Sequence, residues 1–177
     1  MNLFVTGYGP FLNVTENPSG LIAARLGLPY RVLDVTFAAA DTFLEEFAGT
    51  DYDALLMIGV AGNAERMRIE TVARNRIGPT PDVADVVMGP GPVHAPSPQQ
   101  IHSALWAGFE QWVDGPEFEP SVDAGDYLCN YLAFEAARRF SDRRTGFLHV
   151  PLPRPGFGVE EMADAIRRSL LAPLLAS

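Results

Sequence analysis

The sequence predicts a layered α/β domain built around a mixed β-sheet. Segments of strand composition alternate with segments of helical periodicity along the chain, which is typical of a sheet covered by helices. Residues 54–60 are apolar without interruption, as expected for a central parallel strand that is buried on both faces. The length of 177 residues suits one core, and we expect residues 1–177 to form a single domain.

In the first half of the chain, strands and short helices are predicted to alternate. Gly7 stops the apolar run that opens the chain, which indicates a buried strand followed by a loop. Asn17 followed by Pro18 is a typical helix start, because Asn caps a helix and Pro suits its first turn. The predicted elements are a strand at 3–6, a helix from 17–19, a strand at 31–35, a short helix capped by Asp41, and the strand at 54–60.

The second half contains a long stretch that is rich in turn-forming residues. Residues 76–98 hold six prolines and three glycines, which predicts a functional or mobile loop. The other predicted elements are a strand at 67–75, a helix from Ser97 or Pro98 to Phe109, a loop at 115–120, a helix near 126–140, a strand at 145–150 and an amphipathic helix at 159–175.

Composition excludes several classes of partner. With 13 basic and 22 acidic residues the net charge is −9, which repels phosphate backbones and argues against nucleic acid. A single cysteine cannot form an internal disulfide or a cysteine-rich zinc site, and we expect no metal and no cofactor. The chain has no 18-residue apolar run and no basic leader, so we expect no membrane partner and a cytoplasmic location.

The only cysteine, Cys129, stands at the head of a helical run that follows Gly125. Partial positive charge at a helix N-terminus lowers a thiol pKa, whereas the nearby Asp123 and Asp126 raise it, so a neighbouring imidazolium would decide the balance. A lone cysteine is more often a small core residue. The residue pattern alone therefore leaves both interpretations open.

Two further residues could complete a nucleophilic site. His149 ends a buried strand, at the sheet edge where α/β proteins place their sites, although it could equally be a hydrogen-bonded core residue. Glu70 lies in a weakly alternating strand, where it could orient a histidine or, more commonly, face solvent. The remaining histidines, His94 and His102, are expected to be exposed.

Short motifs from the first strand to the last resemble one known family. They are VTGYGPF at 5–11 with NPS at 17–19, ETVARN at 70–75, SVDAGDYLCN at 121–130 and GFLHVP at 146–151. Together they resemble the motifs of the type I pyroglutamyl peptidases, which are cysteine peptidases. This resemblance implies a three-layer α/β/α sandwich with a mixed, mostly parallel central sheet.

The resemblance also implies a reaction and a set of site residues. It implies release of N-terminal pyroglutamate from peptides through a thioester, with Cys129 as nucleophile, His149 as base and Glu70 as its partner. The residues that it places at the substrate are Tyr8, Phe11, Asn17, Tyr127 and Leu128. No cofactor is implied; the partners would be peptides that begin with pyroglutamate, and a homo-oligomer, often a tetramer in the family.

The sequence departs from the family pattern near the expected site. Thr71 replaces a basic residue, Asp123 replaces a serine, and the segment at 78–82 lacks an arginine. The turn at 59–63 also lacks a typical glutamine and a glycine. Arg74 or Arg76 could replace the lost cation.

Two other functions stay open on these residues. The departures would fit a weak or inactive homologue that serves as a ligand-binding module. Gly7-Tyr8-Gly9 after the first strand would fit nucleotide binding, although Leu12 replaces the third glycine and Pro10 removes a backbone donor.

Overall fold

The computed structural model describes residues 1–11, 14–111, 113 and 115–176. The strands are β1 (Leu3–Tyr8), β2 (Tyr30–Leu33), β3 (Ala54–Val60), β4 (Met67–Glu70), β5 (Val72–Arg74), β6 (Gln100–His102), β7 (Phe118–Ser121) and β8 (Arg144–Val150). The α-helices are α1 (Pro18–Arg25), α2 (Phe37–Ala48), α3 (Leu128–Arg139), α4 (Val159–Ile166) and α5 (Ala172–Ala176). A π-helical turn, Arg167–Leu171, joins α4 to α5.

The central sheet has six strands in the order β2-β1-β3-β8-β4-β7. The first four run parallel, whereas β4 pairs antiparallel with β8 and parallel with β7. One apolar cluster packs α1, α4 and α5 on one face of the sheet, and a second cluster packs α2 and α3 on the other. The predicted α/β/α sandwich with a mixed, mostly parallel sheet is confirmed.

The unbroken apolarity of β3 follows from its central position. Alternate side chains of a strand point to opposite faces, and both faces here are covered by helices. Leu56 and Ile58 join the cluster on the side of α1 and α4, whereas Leu55 and Met57 join the cluster on the side of α2 and α3. The prediction of a doubly buried strand is therefore confirmed.

Helix starts are set by local polar side chains. Asn17 caps α1 by accepting a hydrogen bond from the Ser19 amide, as predicted. The predicted cap of the next helix, Asp41, is wrong. Helix α2 begins at Phe37, and Thr36 caps it by accepting a hydrogen bond from the Ala39 amide. Asp41 instead lies inside α2, where it accepts a hydrogen bond from the hydroxyl of Tyr131.

Three of the predicted elements are wrong in detail. The predicted helix up to Phe109 is replaced by β6 and a short 3-10 turn, because the backbone of this segment pairs with β5 and with Thr145. The predicted strand at 67–75 is divided at Thr71 between β4 and β5, which belong to different sheets. The predicted loop at 115–120 contains β7, whose Pro120 is tolerated because β7 is an edge strand.

Two buried asparagines fix the 76–98 loop to the rest of the fold. The Asn75 side chain donates to the carbonyl of His94 and accepts from its amide. Asn130 of α3 accepts from the amide of Arg74 and donates to the carbonyls of Arg74 and Arg76. The start of the loop is thereby tied to the first turn of α3.

Among the described residues, no helix combines the length and the apolarity that crossing a bilayer requires.

A carboxylate inside the 76–98 loop supports α2. The Asp82 side chain accepts hydrogen bonds from the amides of Phe37, Ala84 and Val86 at 2.8–3.0 Å. Burial alone would raise the pKa of this carboxyl, but the three amide donors together hold the pKa below its ordinary value. The ionised form therefore stabilises the fold.

We expect Asp82→Asn to lower the free energy of unfolding at neutral pH by about 1–3 kcal/mol, because an amide cannot serve all three donors. The folded pKa lies below the unfolded one, so the wild-type advantage is complete above the unfolded pKa and disappears as the pH falls through the folded pKa. Urea unfolding across this pH range measures the effect.

Asp85→Asn is the matched control, because it removes one charge from an exposed position in the same loop. Its backbone φ of 61° is one that asparagine tolerates. Equal losses in the two variants, or a loss in Asp82→Asn that does not change with pH, would contradict the account given for Asp82.

Candidate active site

Cys129 is the second residue of α3, and its side chain is half-buried against the sheet. The helix begins at Leu128, two or three residues later than predicted, so the thiol lies within its first turn. Tyr127 occupies the capping position and makes no side-chain cap hydrogen bond. The thiol lies directly over Gly59 of β3, where a Cβ atom would approach the sulfur to 2.7 Å.

A buried carboxylate–imidazole pair lies next to the thiol. Nδ1 of His149 is 2.7 Å from Oε1 of Glu70, and the two residues are only 6% and 2% exposed. Glu70 stands opposite Phe147 in the antiparallel register, so it shares a sheet face with His149, two residues further along β8. The interpretation of Glu70 as a solvent-facing residue is therefore wrong.

The other side of the imidazole faces the thiol. Because Nδ1 is taken by Glu70, Nε2 is the ring nitrogen that remains for the interaction with Cys129. Burial alone would lower the pKa of His149, but the Cys129 thiolate and the Glu70 carboxylate outweigh it and raise the pKa to about 9. The arrangement therefore favours a protonated imidazole beside Cys129 at neutral pH.

The second oxygen of Glu70 is unusual. Oε2 is buried and has no hydrogen-bond partner among the described residues. Glu70 lines a cavity of about 10 Å³ together with Ser103 and Thr145, which is close to the volume that one water molecule needs. The oxygen that contacts the imidazole is Oε1.

A narrow slot opens on one side of the thiol, with a volume of about 190 Å³. Its lining is mostly apolar and includes all the predicted substrate residues: Tyr8, Phe11, Asn17, Tyr127 and Leu128, together with Val35, Val60 and Cys129. The polar atoms of Asn17 are already used, since they bind the Gly9 carbonyl and the amide and hydroxyl of Ser19. Asn17 therefore shapes the slot wall by fixing the β1–α1 connection.

Tyr8 brings a hydroxyl group into this slot. The group is buried and donates to the carbonyl of Leu128 at 3.3 Å. Burial, and then the negative charge of the Cys129 thiolate, raise the pKa of Tyr8 well above its ordinary value. The hydroxyl thus stays protonated, and its oxygen keeps lone pairs that can accept a hydrogen bond.

A second, wide cleft of about 440 Å³ also has Cys129 in its lining. It is lined by Val60, Ala61, Asn63, Arg68, Asp123, Ala124, Gly125, Tyr127, Cys129 and His149. Cys129 therefore lines both the small apolar slot and the larger, more polar cleft, whereas His149 lines the cleft.

The structure explains two of the sequence departures. Asp123 lies 2.6 Å from Arg76, and both this contact and the Gly125 amide lower the pKa of Asp123 although burial alone would raise it. Arg76 therefore neutralises the acidic residue that replaces serine. Thr71 ends β4 by donating its hydroxyl to the Ser121 carbonyl, which ties β4 to β7.

Three residues of the site were missed from the sequence. Asn130 fixes the first turn of α3, and its place directly after Cys129 was a signal that could have been used. Gly59 leaves space for the sulfur because it has no Cβ atom. A glycine inside an apolar strand indicates close approach by another group, and this signal could have identified it. Arg68 reaches the cleft only through strand register, for which the sequence carries no local signal.

The glycines that suggested nucleotide binding have a packing role. A Cβ atom on Gly7 would come within 2.4 Å of the Ser19 carbonyl oxygen, so Gly7 is needed for the close approach of α1 to β1.

Comparisons with known proteins agree on one family. The sequence model of the pyroglutamyl peptidase family matches residues 1–162. A pyrrolidone-carboxylate peptidase of Clavibacter michiganensis is 28% identical, over 97% of this chain and 92% of its own length. The corresponding protein of Staphylococcus aureus is 27% identical, over 100% of this chain and 92% of its own length.

Solved structures give the same result. The pyrrolidone carboxyl peptidase of Thermus thermophilus aligns with a TM-score of 0.81 at 28% identity, over 95% of this chain and 98% of its own. Pyroglutamyl peptidase I of Bacillus amyloliquefaciens aligns with a TM-score of 0.83 over 98% of this chain and 94% of its own; at 18% identity it bears on the fold alone. The chain therefore belongs to the pyroglutamyl peptidase family, a family of cysteine-type hydrolases.

Proposed function

We propose that this protein removes N-terminal pyroglutamate from peptides, with Cys129 as nucleophile, His149 as general base and acid, and Glu70 as the group that orients His149. The observation that carries the proposal is a thiol beside an imidazole that is hydrogen-bonded to a buried carboxylate, with a slot of about 190 Å³ at the thiol. The same three roles define nucleophilic hydrolases on unrelated folds.

The reaction proceeds through a thioester. The Cys129 thiolate attacks the pyroglutamyl carbonyl carbon, and His149 then gives its proton to the departing amine as the C–N bond breaks. His149 next takes a proton from water, whose oxygen attacks the thioester. The C–S bond then breaks, which releases 5-oxoproline and returns the Cys129 thiolate beside the protonated His149; the shortened peptide left in the first step.

The negative oxygen of each tetrahedral intermediate needs hydrogen-bond donors. Backbone N–H groups in the first turn of a helix are unpaired within that helix. The first turn of α3 carries Cys129 itself, and Tyr127 provides no side-chain cap for it. We assign the oxyanion to these N–H groups, where the partial positive charge of the helix end also stabilises it.

The narrow slot suits the pyroglutamyl ring, which is small and uncharged. Its methylene groups would pack on Tyr8, Phe11 and Val35, which line the slot. The hydroxyl of Tyr8 donates its hydrogen bond to the Leu128 carbonyl, so its oxygen is available to accept a hydrogen bond from the lactam N–H. A prolyl residue has no ring carbonyl and carries a charged nitrogen, so the slot would bind it poorly.

The test is hydrolysis of a fluorogenic amide of pyroglutamate, compared with the same amide of L-proline. We expect cleavage of the first substrate only. Cleavage of the prolyl amide at a similar rate would contradict the assignment of the slot. Cleavage of neither amide, with a rise in melting temperature on adding 5-oxoproline, would favour a binding module that lacks the chemistry.

The contact between Gly59 and the thiol gives a further prediction. In Gly59→Ala, the added methyl group would lie 2.7 Å from both the Cys129 sulfur and the Phe147 ring. We expect kcat/KM to fall by about a hundredfold because the sulfur is displaced. We also expect a loss of about 1–3 kcal/mol in unfolding free energy from overpacking.

Gly62→Ala is the matched control, since the nearest atom to its added methyl group is Leu152 Cδ1 at 3.8 Å. Kinetic assays and thermal melts of both variants separate the effects. If Gly59→Ala kept full activity, the sulfur would not be confined as described.

A further inference from the structure

The wide cleft contains a guanidinium group to which the proposed reaction gives no role. Arg68 stands directly opposite His149 in the antiparallel register of β4 and β8, so their side chains project from the same face of the sheet. Arg68, His149 and Cys129 all line the cleft. An amine that departs through this cleft as the thioester forms would therefore pass close to Arg68.

Arg68 shares its ion-pair partner with another arginine. Nε of Arg68 lies 3.1 Å from one oxygen of Glu119, and Arg66 lies 3.0 Å from the other. Among the described residues, one carboxylate thus faces two guanidinium groups, so this cluster carries one positive charge more than its carboxylate neutralises. The side chain of Arg68 is 29% exposed, and beyond Glu119 it contacts the neutral side chain of Asn63 at 3.4 Å.

The acidic group in the same cleft is already paired. Asp123 binds Arg76 at 2.6 Å and accepts the Gly125 amide at 3.0 Å. The charge of Asp123 is therefore compensated within the protein. The positive charge of Arg68 is therefore not offset by Asp123, although the chain as a whole has a net charge of −9.

We propose that Arg68 selects peptides in which the part after pyroglutamate carries a carboxylate, and that it pairs with this carboxylate in the wide cleft. The inference rests on the proposed function, because the cleft receives the leaving part only when the slot holds the lactam. The carboxylate has two sources: an acidic side chain next to the scissile bond, or the C-terminus of a dipeptide. Without such a cation, the net charge of the protein would disfavour acidic substrates.

Two substrate pairs distinguish these sources. Pyroglutamyl-glutamate amide is compared with pyroglutamyl-glutamine amide for the side chain, and pyroglutamyl-alanine with its amide for the C-terminus. In at least one pair, we expect wild-type kcat/KM to favour the carboxylate by about fivefold at low salt. Arg68→Gln should bring this ratio to within about twofold, and Arg68→Lys should retain most of it.

Arg66→Gln is the matched control, because Arg66 binds the same Glu119 but does not line the cleft. It should keep more of the wild-type ratio than Arg68→Gln does, because it lowers the charge of the cluster without removing the group that contacts the substrate carboxylate. The proposal is overturned if the wild type has no preference, if Arg68→Gln keeps it, or if Arg66→Gln loses it equally. A neutral fluorogenic pyroglutamyl amide separates failure of the proposed function from failure of this inference. If the amide is not cleaved, both fail. If it is cleaved but the peptide pairs show no charge preference, the inference alone is overturned.

Discussion

Replacement of Cys129 by alanine is expected to lower kcat for a pyroglutamyl amide by at least about a thousandfold, because the substitution removes the attacking atom. The thiol stands over Gly59 and next to His149, and Cys129 is the only cysteine in the chain. No second thiol can replace it. Steady-state hydrolysis of the fluorogenic amide measures the loss.

Folding of this variant is checked separately. Cys129 is half-buried, so alanine should change the melting temperature only slightly, and the narrow slot should still bind 5-oxoproline. Retained slot binding with lost turnover would assign the defect to chemistry. Substantial turnover by Cys129→Ala would exclude the thioester route altogether.

Replacement of Glu70 by glutamine is expected to lower kcat/KM by about 10²- to 10⁴-fold, as when the orienting carboxylate of other triads is neutralised. Glutamine has nearly the same shape, so the packing around this buried position is kept. What changes is the charge 2.7 Å from Nδ1 of His149. The imidazolium that the reaction requires loses its partner.

The pH dependence separates this role from a merely structural one. The Cys129 thiolate and the Glu70 carboxylate raise the pKa of His149 to about 9 against the effect of burial, so the ring stays protonated well above neutral pH. Without the Glu70 charge this pKa falls, and the alkaline limb of kcat/KM against pH should move towards lower pH.

Glu70→Asp is the corresponding control, because it keeps the charge on a shorter side chain. We expect it to recover part of the rate and to keep the alkaline limb near its wild-type position. A fall in rate with an unmoved alkaline limb in Glu70→Gln would contradict the electrostatic role.

Local sequence signals placed the thiol at a helix start and the imidazole at a strand end but left their roles open, and for the carboxylate they left even its burial open. A cysteine at a helix start and a histidine at a strand end are marked by their own neighbours. Glu70 lies in a strand with period-2 alternation, and this pattern shows that the two faces differ without showing which face is buried. Only the pairing of β4 with β8 decides this, and it leaves Glu70 2% exposed.

Non-local pairing also explains the wrong secondary-structure predictions. The segment before Phe109 has helical spacing, but its backbone bonds to β5 and to Thr145, some 30 to 40 residues away along the chain. Gly115 and Pro120 give the segment at 115–120 the composition of a loop, although the edge position of β7 makes proline acceptable there. Propensity acts within a few residues, whereas these elements are held by partners that the sequence does not mark.

The reversed direction of β4 also affects how the sheet assembles. If β4 were aligned one residue out of step with β8, the side chain of Glu70 would turn to the opposite helical layer and meet the apolar residues beneath α1 and α4. A carboxylate buried there without its imidazole would cost about 3–5 kcal/mol. The Glu70–His149 contact therefore also favours the native register of β4 against β8, because a chain with shifted register is less stable before any substrate is bound.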